Sequence, residues 1–167
     1  LFRFLPLNGL SSEILNSSVT TIVKDEIGAI WVGTENNGLW QITESNEGTL
    51  SCQKRFSDKL PTENINHIFI SPEKNLFVGT DIGLAVLSLN TTEIIDQYSS
   101  VTNEIGPISI QSVYQDSRSN LWIGTSDLGL YYFDSSSESL EYFFTTSTSE
   151  GNLDHLTVRD IIEDQNG

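Results

Sequence analysis

Short apolar runs alternate with polar, glycine-bearing turns along the whole chain, and the alternation returns at a nearly fixed interval. The runs at 19–24, 65–70, 110–115 and 158–163 carry apolar residues at both parities, Val19 and Val23 pointing one way and Ile22 the other. Under the two-residue period of a strand, this predicts first strands that are buried on both sides and lie between layers. Each is followed by a turn such as Asp25-Glu26-Ile27-Gly28, where Asp can bond the backbone two residues on and Gly accepts a positive φ. Second strands bear a large aromatic, and third strands open on Gly-Leu. Alternating polar and aromatic residues at 53–56, 96–98 and 140–144 read as outer fourth strands.

The interval is a sequence repeat. Trp31-Val32-Gly33-Thr34 returns as Phe77-Val78-Gly79-Thr80 and as Trp122-Ile123-Gly124-Thr125, spaced by 46 and then 45 residues. Six residues before each aromatic stands Asp25, Ser71 or Asp116, and the chain's last residues, Asp164-Gln165-Asn166-Gly167, would open another copy. Each copy continues into Gly38-Leu39-Trp40, Gly83-Leu84-Ala85 or Gly129-Leu130-Tyr131. Val19, Ile65, Ile110 and Val158 are equivalent, and five residues before each lies Ile14, Leu60, Ile105 or Leu153. The units are 14–59, 60–104, 105–152 and a truncated 153–167. A four-stranded antiparallel sheet of this period covers its faces only by stacking on neighbours around an axis. The fold class expected is all-β: a partial β-propeller of about three blades and the start of a fourth.

Composition agrees, with Ser, Thr and Asn abundant and Ala scarce. Eight basic against twenty-three acidic residues give a formal charge of −15. That field repels phosphate backbones and anionic headgroups, so no nucleic acid and no membrane contact by this segment are expected. Cys52 is the single cysteine, which excludes an internal disulfide and leaves no Cys pair for a metal. No apolar stretch approaches the roughly 20 residues needed to span a bilayer. The chain opens on Leu1 and contains no methionine. It is expected to be cut from a longer polypeptide that holds any export signal or anchor.

Asp25-x-x-Gly28-x-x-Trp31-Val32-Gly33-Thr34, followed by Gly38-Leu39-Trp40, resembles the repeat of two-component regulator propellers, and the resemblance covers essentially the whole chain. The second unit departs from it with Ser71 for Asp and Phe77 for Trp, and Lys74 and Ser119 stand where the first unit has Gly28, which questions the turn geometry there. The resemblance implies a periplasmic sensor region of a bacterial hybrid histidine kinase or diguanylate cyclase. Three units fall short of the roughly four to eight blades of closed propellers, so the remaining blades of a parent ring, or self-association, are expected to cover two apolar blade faces.

Little is left over for chemistry, and no catalytic residue, metal or cofactor is expected. His67 and His155 occupy different repeat positions with no second ligand at metal spacing. His67 shares its position with Thr21, Ser112 and Asp160, read as a hydrated row at one level of the blades or, alternatively, a channel lining. The pairs Asp25-Glu26 and Glu163-Asp164 recur with the fold and read as turn residues. Trp31, Phe77 and Trp122 read as core, with a sugar-stacking platform as the alternative. The turns between second and third strands differ from unit to unit and present amides and carboxylates able to bond sugar hydroxyls. Glu35, Asn36, Asn37, Asp81, Ser126 and Asp127 are therefore the candidate ligand-binding residues. A small molecule or oligosaccharide is the ligand expected there, and plain solvated turns are the competing reading.

Overall fold

The structure is a computed structural model that describes residues 11–95, 99–142 and 157–165. Its eleven strands form three antiparallel sheets. Blade 1 is β1 (Val19–Lys24), β2 (Ile30–Thr34), β3 (Leu39–Glu44) and β4 (Leu50–Arg55), paired in that order. Blade 2 is β5 (Ile65–Ile70), β6 (Asn75–Thr80) and β7 (Gly83–Ser88). Its expected fourth strand at 96–98 lies outside the described residues, and a bridge between Leu87 and Ile94 approaches that position. Blade 3 is β8 (Ile110–Gln115), β9 (Leu121–Thr125), β10 (Leu130–Asp134) and β11 (Ser139–Tyr142). This is the all-β, partial propeller that the repeat requires.

The blades stack because one face of each carries the large repeat residues and the next blade presents aliphatic ones. Between blades 1 and 2, Trp31 and Leu39 pack against Ile65, Ile68, Leu76 and Val78. Between blades 2 and 3, Phe77, Leu84 and Val86 meet Ile110, Val113, Leu121 and Ile123. The motif glycine permits the closest approach. A Cβ added at Gly33 would stand 2.7 Å from Ile65 Cγ2, one at Gly79 2.9 Å from Ile110 Cγ2, and one at Gly124 2.8 Å from Val158 Cβ. Ile65 and Ile110, the first residues of β5 and β8, thus plug the glycine of the preceding blade, as Val158 plugs that of blade 3. The motif threonine pins the following turn from within, since Thr34, Thr80 and Thr125 are buried and donate to the carbonyls of Gly38, Gly83 and Gly129.

Burial of the first strands on both sides holds for β5 and β8 only. In β1, Val19 is 52% and Ile22 64% exposed, because no described blade precedes them, whereas their equivalents in the next two blades are buried. The segment at 158–163 forms no strand; it is held by Val158 N–H donating to Thr125 O and by Ser112 Oγ donating to Val158 O. The turn at the Gly28 position has one geometry throughout. Gly28, Lys74 and Ser119 all have positive φ (92°, 65° and 67°) and donate to the carbonyls of Asp25, Ser71 and Asp116. The side chains at 74 and 119 accept the left-handed conformation that a glycine takes without steric cost.

Two helices stand outside the sequence expectation. α1 (Ser12–Leu15) is capped by Ser11, whose Oγ accepts from Glu13 N–H, and α2 (Ser99–Ile105) lies before β8. Four and seven residues are too few to show a helical period. Their function is nonetheless visible in the repeat: Ile14 and Ile105, two of the equivalent residues five before each inner strand, are the buried plugs at the helix ends.

Candidate functional site

The six candidate residues sit on β2–β3, β6–β7 and β9–β10 turns at one end of the propeller, beside the segments that enter the inner strands. Glu35 N–H donates to Ser18 O, Asp81 N–H to Asn64 O, and Ser126 N–H to Ser109 O. Glu35 and Asn36 are exposed, the latter at φ 64°. Asn37 is committed to structure: its Nδ2 donates to Ser17 Oγ (2.7 Å) and Glu13 O (3.0 Å), tying α1 to blade 1. Asp81 accepts from Asn64 Nδ2 through one oxygen (3.3 Å), while the other is buried without a hydrogen-bond partner. Ser126 donates to Asp127 Oδ2 at 2.9 Å. This leaves Glu35, Asn36 and Asp127 exposed to a ligand, beside the buried, unpartnered Asp81 oxygen.

The repeated acidic residue acts on the repeated tryptophan. Asp25 Oδ2 accepts from Trp31 Nε1 (2.9 Å) and Oδ1 from Ala29 N–H (2.8 Å); Asp116 does the same for Trp122 Nε1 (3.0 Å) and Asn120 N–H (2.8 Å). Burial works against the Asp116 charge, but bonds from Trp122, Asn120 and Arg118 outweigh it and hold the carboxyl below its ordinary value. In blade 2, the phenylalanine ring has no N–H to satisfy, and the acid is replaced with it: Ser71 Oγ accepts from Asn75 N–H. The two departures of the second unit are one coupled change. The carboxylates Asp25 and Asp116 are turn and indole acceptors, and among the described residues no group of His, Cys, Asp and Glu is placed to hold a metal.

The polar row on the inner strands stitches blade to blade. Each inner strand is the edge of its own sheet, with backbone groups that no ladder satisfies. Thr20 Oγ1 donates to Ile65 O (2.6 Å) and Asn66 Nδ2 to Ile110 O (3.0 Å), both from bulged positions. Thr21 Oγ1 accepts from Ile68 N–H (3.4 Å) and His67 Nδ1 from Val113 N–H (3.2 Å). These bonds engage Thr21 and His67 of the row, Ser112 Oγ donates to Val158 O, and Asp160 is exposed.

His67 must be neutral to accept that bond, and burial lowers its pKa against an opposing pull from Asp160. A group whose folded pKa is depressed contributes stability above its unfolded value and loses it as pH falls toward the folded one. The melting temperature is therefore expected to drop between pH 7 and 5.5, crossing the ordinary histidine value of about 6.5. His67→Asn, which keeps an acceptor but does not titrate, should flatten that slope. Identical slopes in the two proteins would assign the pH dependence elsewhere.

A second concave region, which the sequence reading passed over, lies between the outer parts of blades 1 and 2. Gln41 and Arg55 face it from blade 1, and Lys74, Asn90 and Thr92 from blade 2. Its signal was available: the position facing the repeat aromatic across the β2–β3 pair is Gln41 in blade 1 but Val86 and Tyr132 in the others.

Stacked three- and four-stranded antiparallel blades, glycine sockets and threonine-pinned turns define the class as a β-propeller. Within that class, the family model of the two component regulator propeller matches residues 13–36 and 105–127. Solved structures agree in fold. The extracellular domain of the hybrid two component system BT3049 from B. thetaiotaomicron is 17% identical, with a TM-score of 0.68, covering 100% of this chain and 22% of its own. That of BT4673 from the same organism is 21% identical, with a TM-score of 0.66 over 88% and 19%. PorZ, a surface component of the type-IX secretion system of Porphyromonas gingivalis, is 17% identical, with a TM-score of 0.56 over 88% and 23%. The chain thus spans about a fifth of the length of each. Comparison with curated proteins gives no match.

Proposed function

We propose that this chain is part of the extracytoplasmic sensor of a bacterial membrane signalling receptor, non-catalytic itself, which biases a histidine kinase or diguanylate cyclase between two states. The observation carrying this reading is the two component regulator repeat at residues 13–36 and 105–127, set in three successively stacked blades. The extracellular domains of BT3049 and BT4673, from hybrid two component systems, supply the analogy for a periplasmic location. In this reading the turns bearing Glu35, Asn36, Asp81 and Asp127 are a ligand-facing end, for an oligosaccharide or other small molecule. The remaining blades of the parent ring are the partner: Val19 fits the glycine socket of a preceding blade as Ile65 and Ile110 fit theirs.

Sequencing the complete reading frame tests this directly. It should carry further Trp-x-Gly-Thr units, then an apolar segment of about 20 residues and a kinase or cyclase domain. A frame with a closed set of blades and neither membrane segment nor output domain would replace the sensor with a propeller that mediates protein contact alone.

A further inference from the structure

The crevice between blades 1 and 2 holds polar groups that the repeat does not call for. It encloses about 160 Å³, close to the roughly 150 Å³ of an engineered cavity that binds benzene, so it is the size of one six-membered ring. Stacked Trp31 and Phe56 (centroids 6.0 Å apart, planes 12° apart) line it together with Ile70 and Leu89. Into this apolar crevice the chain places Arg55, whose Cζ lies 5.5 Å from the Phe56 centroid and whose Nε is buried without a hydrogen-bond partner. A buried guanidinium nitrogen left unpaired carries a desolvation cost that a bound anion would remove.

The other charges around the crevice are already engaged. Asp25 accepts from Trp31 and Ala29, and Glu26 lies 3.5 Å from Lys74 across the blade boundary. No ion pair of Arg55 is formed among the described residues. Gln41 adds an amide on the same wall. Elsewhere in the propeller its position holds Val86 or Tyr132, so the fold has no need of it.

We infer that this crevice binds a monocyclic carboxylate, the ring lying on the apolar wall and the carboxylate taken by Arg55 with Gln41 beside it. Arginine presents a planar fork of donors that matches a carboxylate, and a bound anion would offset the charge of the partly buried guanidinium. The chemistry is common to an aromatic acid and a uronic acid, and it holds whatever output domain the chain serves.

Calorimetric titration of the chain with benzoate and with glucuronate, against the neutral counterparts benzamide and glucose, tests the inference. At least one carboxylate should bind and its neutral counterpart should not; benzoate alone identifies a flat apolar ring, glucuronate alone a hydroxylated one. Arg55→Gln should weaken binding at least about tenfold, while Arg118→Gln, at an exposed cation remote from the crevice, should leave it unchanged. If Arg55→Gln lowers the melting temperature markedly, Gln41→Leu serves in its place and should weaken binding severalfold. No heat from either carboxylate at millimolar concentration, equal binding of benzamide and benzoate, or full affinity in the variants would each overturn the assignment.

Discussion

Trp31→Ala is expected to lower the melting temperature by on the order of 6–20 °C, the equivalent of about 3–5 kcal/mol for truncating a buried aromatic in a chain of this size. The indole is 2% exposed, stacks on Phe56, and stands between Leu39 of its own blade and the aliphatic face of blade 2. Removing it leaves a cavity between two sheets that are fixed by their own ladders and collapse only partly. It also deprives Asp25 of one donor. Trp31→Phe partly separates the two contributions, since it keeps a six-membered ring and loses the N–H together with the five-membered ring. Its cost is about 1 kcal/mol for the hydrogen bond plus a smaller packing loss than alanine brings. Blade 2 shows how that loss is accommodated: Phe77 is paired with Ser71, so Trp31→Phe with Asp25→Ser should be closer to the parent than Trp31→Phe alone. Thermal and urea unfolding give both numbers. A Trp31→Ala protein that melts within about 2 °C of the parent, less than 1 kcal/mol by the same scale, would remove the indole from the core and revive the stacking-platform reading.

The same residues show what the sequence disclosed and what it withheld. Periodicity exposed the blades because every blade solves one packing problem with one set of residues, and equivalence at Val19, Ile65, Ile110 and Val158 located the plugs before their sockets were known. Three kinds of feature stayed hidden. The first is partnership: the six-residue spacing from Asp25 to Trp31 was plain, but only the folded turn brings Nε1 to Oδ2. The second is the inner-strand row, where Thr21 and His67 accept backbone donors from a strand 46 to 47 residues away, a distance over which local pattern carries no information. The third is exposure. The apolar pattern of β1 is that of a strand between layers, yet no described blade stands against its outer face, where Val19 and Ile22 are exposed. Of the candidate site, sequence variation between turns singled out residues that the fold gathers at one end of the molecule. It took coordinates to show that Asn37 is spent on holding α1, and that a departure from the repeat at Gln41 borders a crevice.

The glycine socket gives the second large effect, and it is measurable as a coupling. A Cβ at position 79 would lie 2.9 Å from Ile110 Cγ2, 3.2 Å from Ile110 Cβ and 3.3 Å from Ile110 O. Ile110 is fully buried and opens the next blade's inner strand, so the contact is relieved only by moving blades 2 and 3 apart. Gly79→Ala is therefore expected to cost about 1–3 kcal/mol by overpacking, although alanine would ordinarily be tolerated in a strand at least as well as glycine. Ile110→Ala alone should cost about 2–5 kcal/mol through the cavity left in the socket. Combined, the two should cost less than their sum, with a coupling of at least about 0.5 kcal/mol, because the added methyl enters space that the trimmed side chain vacates. Additive costs would mean that glycine is retained at this position for its backbone and not for the plug. A clear coupling would establish that blade 2 recognises blade 3 through this one residue, and the same cycle at Gly33 and Ile65 would extend it to blades 1 and 2.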